Sequence, residues 1–331
     1  KIIGWDEIIE GGIPNNATVQ SWRGMDGGIL AAQNQHEAIM SPTSHCYFDY
    51  DLEAINLEKV YSFEPIPDEL NKNEQKYIIG GECNMWSERA PQEKIDSKVF
   101  PRILAMSEVL WSSKEKNYDE FLTRVESHYP KLEALGVEYG YEKTPIKFKP
   151  QFSQNKFDIQ IEKGKSSMEI LYQINEGNWI KYEKPIEIFE SSLINVKDRN
   201  SKRKEIASKS IEINFHKGIG KKITYNTKYN DSYTGSGNNT LINGIAGSPK
   251  NFRDGQWQGF YGENVDVIID LEENTKFSEL KTSFFQYHLS WIIIPKSVEY
   301  LISNDGINFT SIYKSENLSE PMKEGKFKQK Y

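Results

Sequence analysis

ATVQSWRGMDGGILAAQNQHEAIMSPTSHCYFDY, residues 17–50, decides the fold. Residues 17–24 read as a strand, GGILAAQNQ (residues 27–35) as a short helix, and residues 37–50 as a second strand-like run. A strand returned by a helix to another strand implies parallel pairing through a crossover. The same texture continues on both sides: KIIGWDEI (residues 1–8) and YIIGGECNMWSE (residues 77–88) supply two more strand-like runs. In SKVFPRILAMSEVLWSS (residues 97–113), Val99, Phe100, Ile103, Leu104, Met106, Val109 and Leu110 fall at helical spacing. Pro101 is placed in the first turn of that helix, where a missing N–H costs little. A further helix is predicted from Tyr118 to Leu135, stopped by Gly136. Four strand–helix units are half of an eightfold barrel, and half a barrel leaves two long unpaired edges.

Each strand-like run leads into an aromatic or acidic residue: Trp5, Trp22, Tyr47 and Asp49, then Trp86 and Glu88. Indole faces stack on the C–H surface of a sugar ring, and carboxylates accept hydrogen bonds from its hydroxyls. Barrel enzymes put their chemistry at the C-terminal ends of the strands. A carbohydrate site is therefore expected there. An isolated Trp on a strand is more often core, so the joint pattern of three indoles carries the expectation.

Composition removes other classes. The 331 residues carry 41 basic and 48 acidic side chains, a net charge of −7. No basic stripe with interleaved aromatics suggests nucleic acid. The densest basic cluster, KDRNSKRK (residues 197–204), reads as a solvated loop. No apolar run approaches the roughly 18–20 residues that span a bilayer. Cys46 and Cys83 are too few for a disulfide scaffold. They fall near the ends of adjacent predicted strands, and read as two buried free thiols in preference to a bridge. Neither they nor the five histidines have metal-ligand spacing. No cofactor or metal is expected. His45 lies near Tyr47 but lacks a carboxylate partner in sequence, and reads as a loop histidine. Trp111, in the apolar run of a helix, reads as core. Tyr61 and Phe63 stay open between core and the wall of a sugar subsite.

From about Lys147 helical spacing gives way to alternation: FDIQIE (157–162), MEILYQI (168–174), PIEIFES (185–191) and SIEINF (210–215). Residues 147–216 are expected to form a small antiparallel sandwich. Residues 217–331, rich in Gly, Asn and aromatics, are expected to form a second all-β domain with strands such as VDVIIDL (265–271) and SVEYLIS (297–303). The fold class is thus α/β plus all-β and multidomain. Its parts are half of a (β/α)8 barrel over residues 1–146 and two β-sandwich domains. Because Lys1 enters directly into a strand, the chain is read as a piece of a longer polypeptide.

Four motifs in order give a resemblance to glycoside hydrolase family 20, the β-N-acetylhexosaminidases: GWDEI (4–8), SWRG (21–24), YFDY (47–50) and GGECNMWSE (80–88). Residues 1–146 resemble the C-terminal half of that family's catalytic barrel. Residues 147–216 resemble the small β-domain that follows such barrels in bacterial enzymes. Residues 217–331 resemble a discoidin-like (factor 5/8 type C) module, on LINGIAGS (241–248), GQWQGFYG (255–262), VIIDL (267–271) and SNDGINF (303–309), and this module looks truncated. Trp257 and Trp291 would more often fill its core than touch sugar.

The resemblance implies an exo-acting enzyme on terminal N-acetylhexosamine. The family retains configuration without an enzyme nucleophile, outside the usual two-carboxylate scheme. The substrate's acetamido oxygen attacks the anomeric carbon, and an Asp–Glu pair assists. That pair belongs to an H-x-G-G-D-E motif absent from this chain, so it is expected upstream and the chain alone is expected to be inactive. Asp6–Glu7 matches a different strand of the family and is read as supporting loop and helix-terminus hydrogen bonds. By position, Trp5, Trp22 and Trp86 resemble indoles that box in the acetamido methyl. Tyr47 resembles the tyrosine that bonds the acetamido oxygen. Asp49 and Glu88 resemble carboxylates that hold ring hydroxyls. Arg23 and Arg89 are expected to orient carboxylates. The implied partners are a glycan with a terminal N-acetylhexosamine and the missing half of the barrel, with dimerisation through exposed strands as an option. The implied setting is the periplasm or surface of a bacterium. The alternative is a non-catalytic carbohydrate-binding protein that uses its β modules.

Overall fold

In the computed structural model, β1 (Ile2–Trp5), β2 (Ala17–Ser21), β3 (Ala38–Met40) and β4 (Ile78–Gly81) form one sheet in the order β1-β2-β3-β4, and every neighbouring pair is parallel. The structure describes residues 2–88, 90–112, 115–165, 168–199, 207–316 and 325–330. It divides into two units. The first holds the described residues of Lys1–Lys147, Glu162–Met168 and Lys202–Ala207; the second holds those of Phe148–Ile161, Glu169–Ser201 and Ser208–Tyr331.

In the first unit the central strands are covered on both faces. All five residues of β2 are buried, whereas Ile2, Ile3 and Ile79 on the outer strands are exposed. Parallel strands buried on two faces lose the polar–apolar alternation of half-exposed ones. The connections are helical, as the spacing predicts. A 3-10 turn (Asp6–Gly11) follows β1, and α1 (Asp26–Gln33) joins β2 to β3. Close packing of α1 needs glycine: a Cβ on Gly28 would stand 2.2 Å from Met40 Sδ, and one on Gly27 would stand 2.7 Å from Asp6 Cβ. α2 (Leu57–Tyr61) and α3 (Lys72–Gln75) lead to β4, and each is capped by an asparagine side chain, Asn56 and Asn71.

The helix expected over residues 97–113 is two pieces, α4 (Ile95–Val99) and α5 (Arg102–Trp111). Phe100 between them is extended, at φ −96° and ψ 137°. Proline disfavours helical geometry in the residue before it, so Pro101 ends one helix rather than opening the first turn of a longer one. α6 (Tyr118–Ala134) is capped by Asn117 and stops before Gly136, at φ +72°. Its buried face is Phe121, Val125 and Leu132, of which Phe121 and Val125 join the core formed by Val19, Met40, Phe48, Ile55, Leu57, Val60 and Met106.

Packing settles the open reading of Tyr61 and Phe63 and overturns that of Trp111. Tyr61 and Phe63 are 4% and 1% exposed, and Tyr61 stacks on Phe121 at 4.2 Å, so neither walls a subsite. Trp111, placed in the core from its helical run, is 90% exposed.

In the second unit, β5 (Ile146–Ser153), β6 (Lys156–Lys163) and β9 (Ile186–Ile188) make a three-stranded sheet. β7 (Ile170–Ile174), β8 (Ile180–Lys181), β10 (Ser192–Asp198) and β11 (Ser208–Ile213) make an antiparallel sheet in the order β11-β10-β7-β8. Alternation gives each sheet one buried face: Phe157, Ile159, Ile186 and Ile188 on one, Ile170, Ile194, Val196 and Ile213 on the other. Beyond Ile213 come three two-stranded antiparallel ribbons. They pair β12 (Lys222–Tyr225) with β13 (Val267–Asp270), β14 (Lys281–Gln286) with β17 (Gly325–Lys330), and β15 (Glu299–Ile302) with β16 (Thr310–Lys314). Trp257 packs against Phe285 at 5.3 Å and donates its indole N–H to Ser248 O at 3.1 Å, while Trp291, expected in a core, is 89% exposed.

Candidate active site

Parallel strands all end on the same rim, and each of β1, β2, β3 and β4 is followed there by an aromatic side chain. The chain leaves β3 at Ser41–Pro42, turns so that the N–H groups of His45 and Cys46 donate to Pro42 O, and rejoins the sheet at Tyr47. Tyr47 then pairs with Asn84 in a single parallel bridge: Asn84 N–H donates to Cys46 O and Phe48 N–H donates to Asn84 O, both at 2.8 Å. That bridge sets Tyr47 beside the segment carrying Trp86.

The four rings meet in sequence around the rim. Trp5 lies 6.4 Å from Trp22, edge to face at 80°, and 6.1 Å from Trp86. Trp22 lies 6.3 Å from Tyr47, so Trp86, Trp5, Trp22 and Tyr47 follow one another in ring contact. Edge-to-face and tilted contacts at these distances are favourable for aromatic rings. Trp5 and Trp86 keep 36% and 42% of their surface exposed, so the ring cluster opens toward solvent on their side.

Asp6 and Glu7 act as supports. Asp6 is 2% exposed, and it accepts from the backbone N–H of Trp22 and of Arg23 at 3.3 Å and from Arg23 Nε at 2.8 Å. Glu7 accepts from the Trp22 indole N–H at 3.0 Å, and that bond is the leading cause holding its carboxyl below the usual carboxylate range. Arg23 also pairs with Glu10 at 2.9 Å, so it orients carboxylates as expected. Arg89 lies outside the described residues.

Burial pushes the Tyr47 phenol up to about 12. Tyr47 is therefore a hydroxyl, and a donor, throughout the neutral range. Asp49, two residues on, is 3% exposed. Glu88 stays exposed, and among the described residues no hydrogen bond or ring contact joins it to the cluster. His45 stacks on Phe63 at 5.5 Å, and Ser44 Oγ lies 2.8 Å from its Nδ1. Burial, with Lys59 and Lys116 nearby, pushes its imidazole down to about 4, which leaves it neutral. Cys46 is buried and Cys83 half-buried, both free thiols raised by burial. Among the described residues no group of three His, Cys, Asp or Glu could hold a metal ion, and no helix is long and apolar enough to cross a membrane.

The structure thus brings together Trp5, Trp22, Tyr47 and Trp86, buries Asp49 beside Tyr47 in the chain, and leaves Glu88 apart. The sequence reading missed Arg102 and Lys98, which donate to backbone carbonyls, Lys98 also reaching Asp51 Oδ1, and leave no motif.

The strand-end rim thus carries three indoles, a buried phenol donor and a buried carboxylate. Residues 1–114 match the model of glycosyl hydrolase family 20, catalytic domain. A β-hexosaminidase of Porphyromonas gingivalis is 37% identical over 153 residues, which covers 42% of this chain and 20% of that protein. The β-hexosaminidase subunit B2 of Dictyostelium discoideum is 31% identical over 105 residues, covering 32% and 18%. A crystal structure of a β-N-acetylhexosaminidase from Bacteroides fragilis is 27% identical and covers 43% of this chain and 32% of that one, with a TM-score of 0.39. The chain spans about a fifth of the length of the curated relatives it matches.

Proposed function

We propose that the polypeptide carrying this chain is an exo-acting β-N-acetylhexosaminidase that removes terminal β-linked GlcNAc or GalNAc from glycans. One observation carries the reading: Trp86, Trp5, Trp22 and Tyr47 form one continuous cluster of rings on the strand-end rim. Clustered indoles suit an acetamido methyl better than a bare hydroxyl, because a buried methyl gains from apolar contact that a hydroxyl forfeits.

The reaction that fits is substrate-assisted and retaining. The acetamido oxygen attacks the anomeric carbon, the glycosidic bond breaks, and the leaving oxygen takes a proton from a carboxylic acid. Water then opens the oxazolinium ring with retention. Tyr47 donates its O–H to the acetamido oxygen and holds it at attack distance. The indoles fix the plane of the amide, and Asp49 and Glu88 take ring hydroxyls. The Asp–Glu pair that steadies the amide nitrogen and supplies the proton lies in chain outside these 331 residues. Residues 217–331 serve as a discoidin-like accessory module, and the enzyme works in a bacterial periplasm or at the cell surface.

The test is hydrolysis by the native polypeptide of an aryl β-N-acetylglucosaminide beside the matching aryl β-glucoside. Cleavage of the first, with the second at least about 10³-fold slower, is the expected result for a step that needs the amide. Equal rates on both would remove substrate assistance.

A further inference from the structure

We infer that Arg102 and Lys98 are positioning residues that set how strictly the site reads the sugar hydroxyl held by Asp49. This rests on the hexosaminidase reading above. The segment after Tyr47 leaves the sheet: Phe48 N–H makes the last ladder bond, and no strand pairs with residues 49–51. Backbone carbonyls in a buried segment need donors from somewhere.

Two cations supply them to three successive carbonyls. Arg102, 1% exposed, donates through one terminal nitrogen to Phe48 O and through the other to Tyr50 O at 3.2 Å and Ile55 O at 2.8 Å. Its Nε donates to Lys98 O at 2.8 Å, which ties the fork to α4. Lys98 Nζ donates to Asp49 O at 2.6 Å and reaches Asp51 Oδ1 at 3.3 Å. The guanidinium also sits 4.9 Å over the Phe48 ring.

The carbonyls on either side of Asp49, and its own, are therefore held by groups on α4 and α5. The negative charge of Asp49 acts on both cations, so the attraction runs in both directions. A buried guanidinium is costly to desolvate, and here it is matched by a planar fork whose three nitrogens all find acceptors. A lysine offers one point donor and cannot span Phe48 O and Tyr50 O together. Phe48 N–H also donates to Asn84 O and Tyr50 N–H to Tyr47 O, while the carbonyls of residues 48–50 are held by these two side chains, which thereby help set the angle at which Asp49 presents its carboxylate. A site that holds a hydroxyl through a well-placed buried group penalises the deoxy analogue; a loosened group penalises it less.

The experiment measures kcat/KM of the native polypeptide on an aryl β-N-acetylglucosaminide and on analogues deoxygenated in turn at O3, O4 and O6. In the unmodified protein one analogue carries the largest penalty. In Arg102→Lys that penalty shrinks by at least about tenfold while the penalties at the other positions hold. A smaller folded fraction lowers all four rates together and leaves every ratio intact, and that outcome overturns the inference. If Arg102→Lys does not fold, Lys98→Met decides: a selective loss of the same penalty supports the inference, and unchanged ratios overturn it. Failure of the unmodified protein to cleave the parent compound is a separate result that overturns the enzyme reading itself.

Discussion

Trp5, Trp22 and Trp86 of the first unit gather around one another, whereas Trp179, Trp257 and Trp291 of the second each stand in a place of their own. Trp179 lies under Lys197 Nζ at 3.8 Å, Trp257 packs on Phe285, and Trp291 is exposed. The cause is strand direction. Parallel strands joined by crossover helices all end on one rim, so a residue placed just after each strand meets its counterparts there. In the second unit antiparallel strands end alternately on opposite sides, and Trp179 precedes β8 while Trp257 and Trp291 lie between strands, so no shared end gathers them. The indole is identical in both units; the topology decides whether it belongs to a site.

The comparison breaks most sharply at Tyr47 and Trp86. Tyr47→Phe removes the donor, and Trp86→Ala removes the indole packed on Trp5. In the native polypeptide each lowers turnover of an aryl β-N-acetylglucosaminide by at least about 10²-fold, the scale of one lost transition-state donor. Trp179→Ala, in the second unit, leaves turnover unchanged. Unaltered kinetics in either rim variant would show that convergence of rings on the rim has no catalytic meaning.

Much of that rim is legible in the sequence, because strand-then-helix spacing fixes which residues fall at strand ends before any contact is known. Burial is less legible. Trp111 follows an apolar run, yet the buried face of α5 is Arg102, Ala105 and Met106. Three and four residues before Trp111 stand Glu108 and Ser107, so the helical period already put its indole on the polar side. Tyr61 and Phe63 read equally well as wall or core, and only packing against α6 settles them. Arg102 was invisible for another reason: its partners are main-chain carbonyls, which every residue has. Asp6 and Glu7 could be set aside as a catalytic pair from their context, but their hold on the Trp22 loop follows only from the parallel register of β1 and β2.

A second test stays on the rim segment and asks whether its one histidine titrates as a surface group. His45 in the folded protein sits at about 4, below the ordinary 6.5, because burial and nearby lysines disfavour its charged form. The folded state then binds fewer protons than the unfolded state between those values. Its contribution to stability is complete above about pH 6.5 and is lost as pH falls toward 4. Between pH 7 and 5 the loss is roughly 1–2 kcal/mol. Urea midpoints from tryptophan fluorescence should fall over that interval, and less so in His45→Gln. An equal fall in both proteins would place the titrating group elsewhere.

The smallest effect is expected at Trp291, and it sharpens the contrast between the units. Trp291 and Trp86 are both exposed indoles, at 89% and 42%, so exposure alone does not tell them apart. Trp86 has Trp5 at 6.1 Å, while Trp291 extends from a turn closed by its own N–H donating to His288 O. Removing a solvated ring deletes little buried area, so Trp291→Ala should shift stability by no more than about 0.5 kcal/mol and leave hydrolysis unaltered. A loss of turnover as large as that of Trp86→Ala would mean that an antiparallel ribbon contributes to the sugar site, and strand direction would no longer explain where the indoles act.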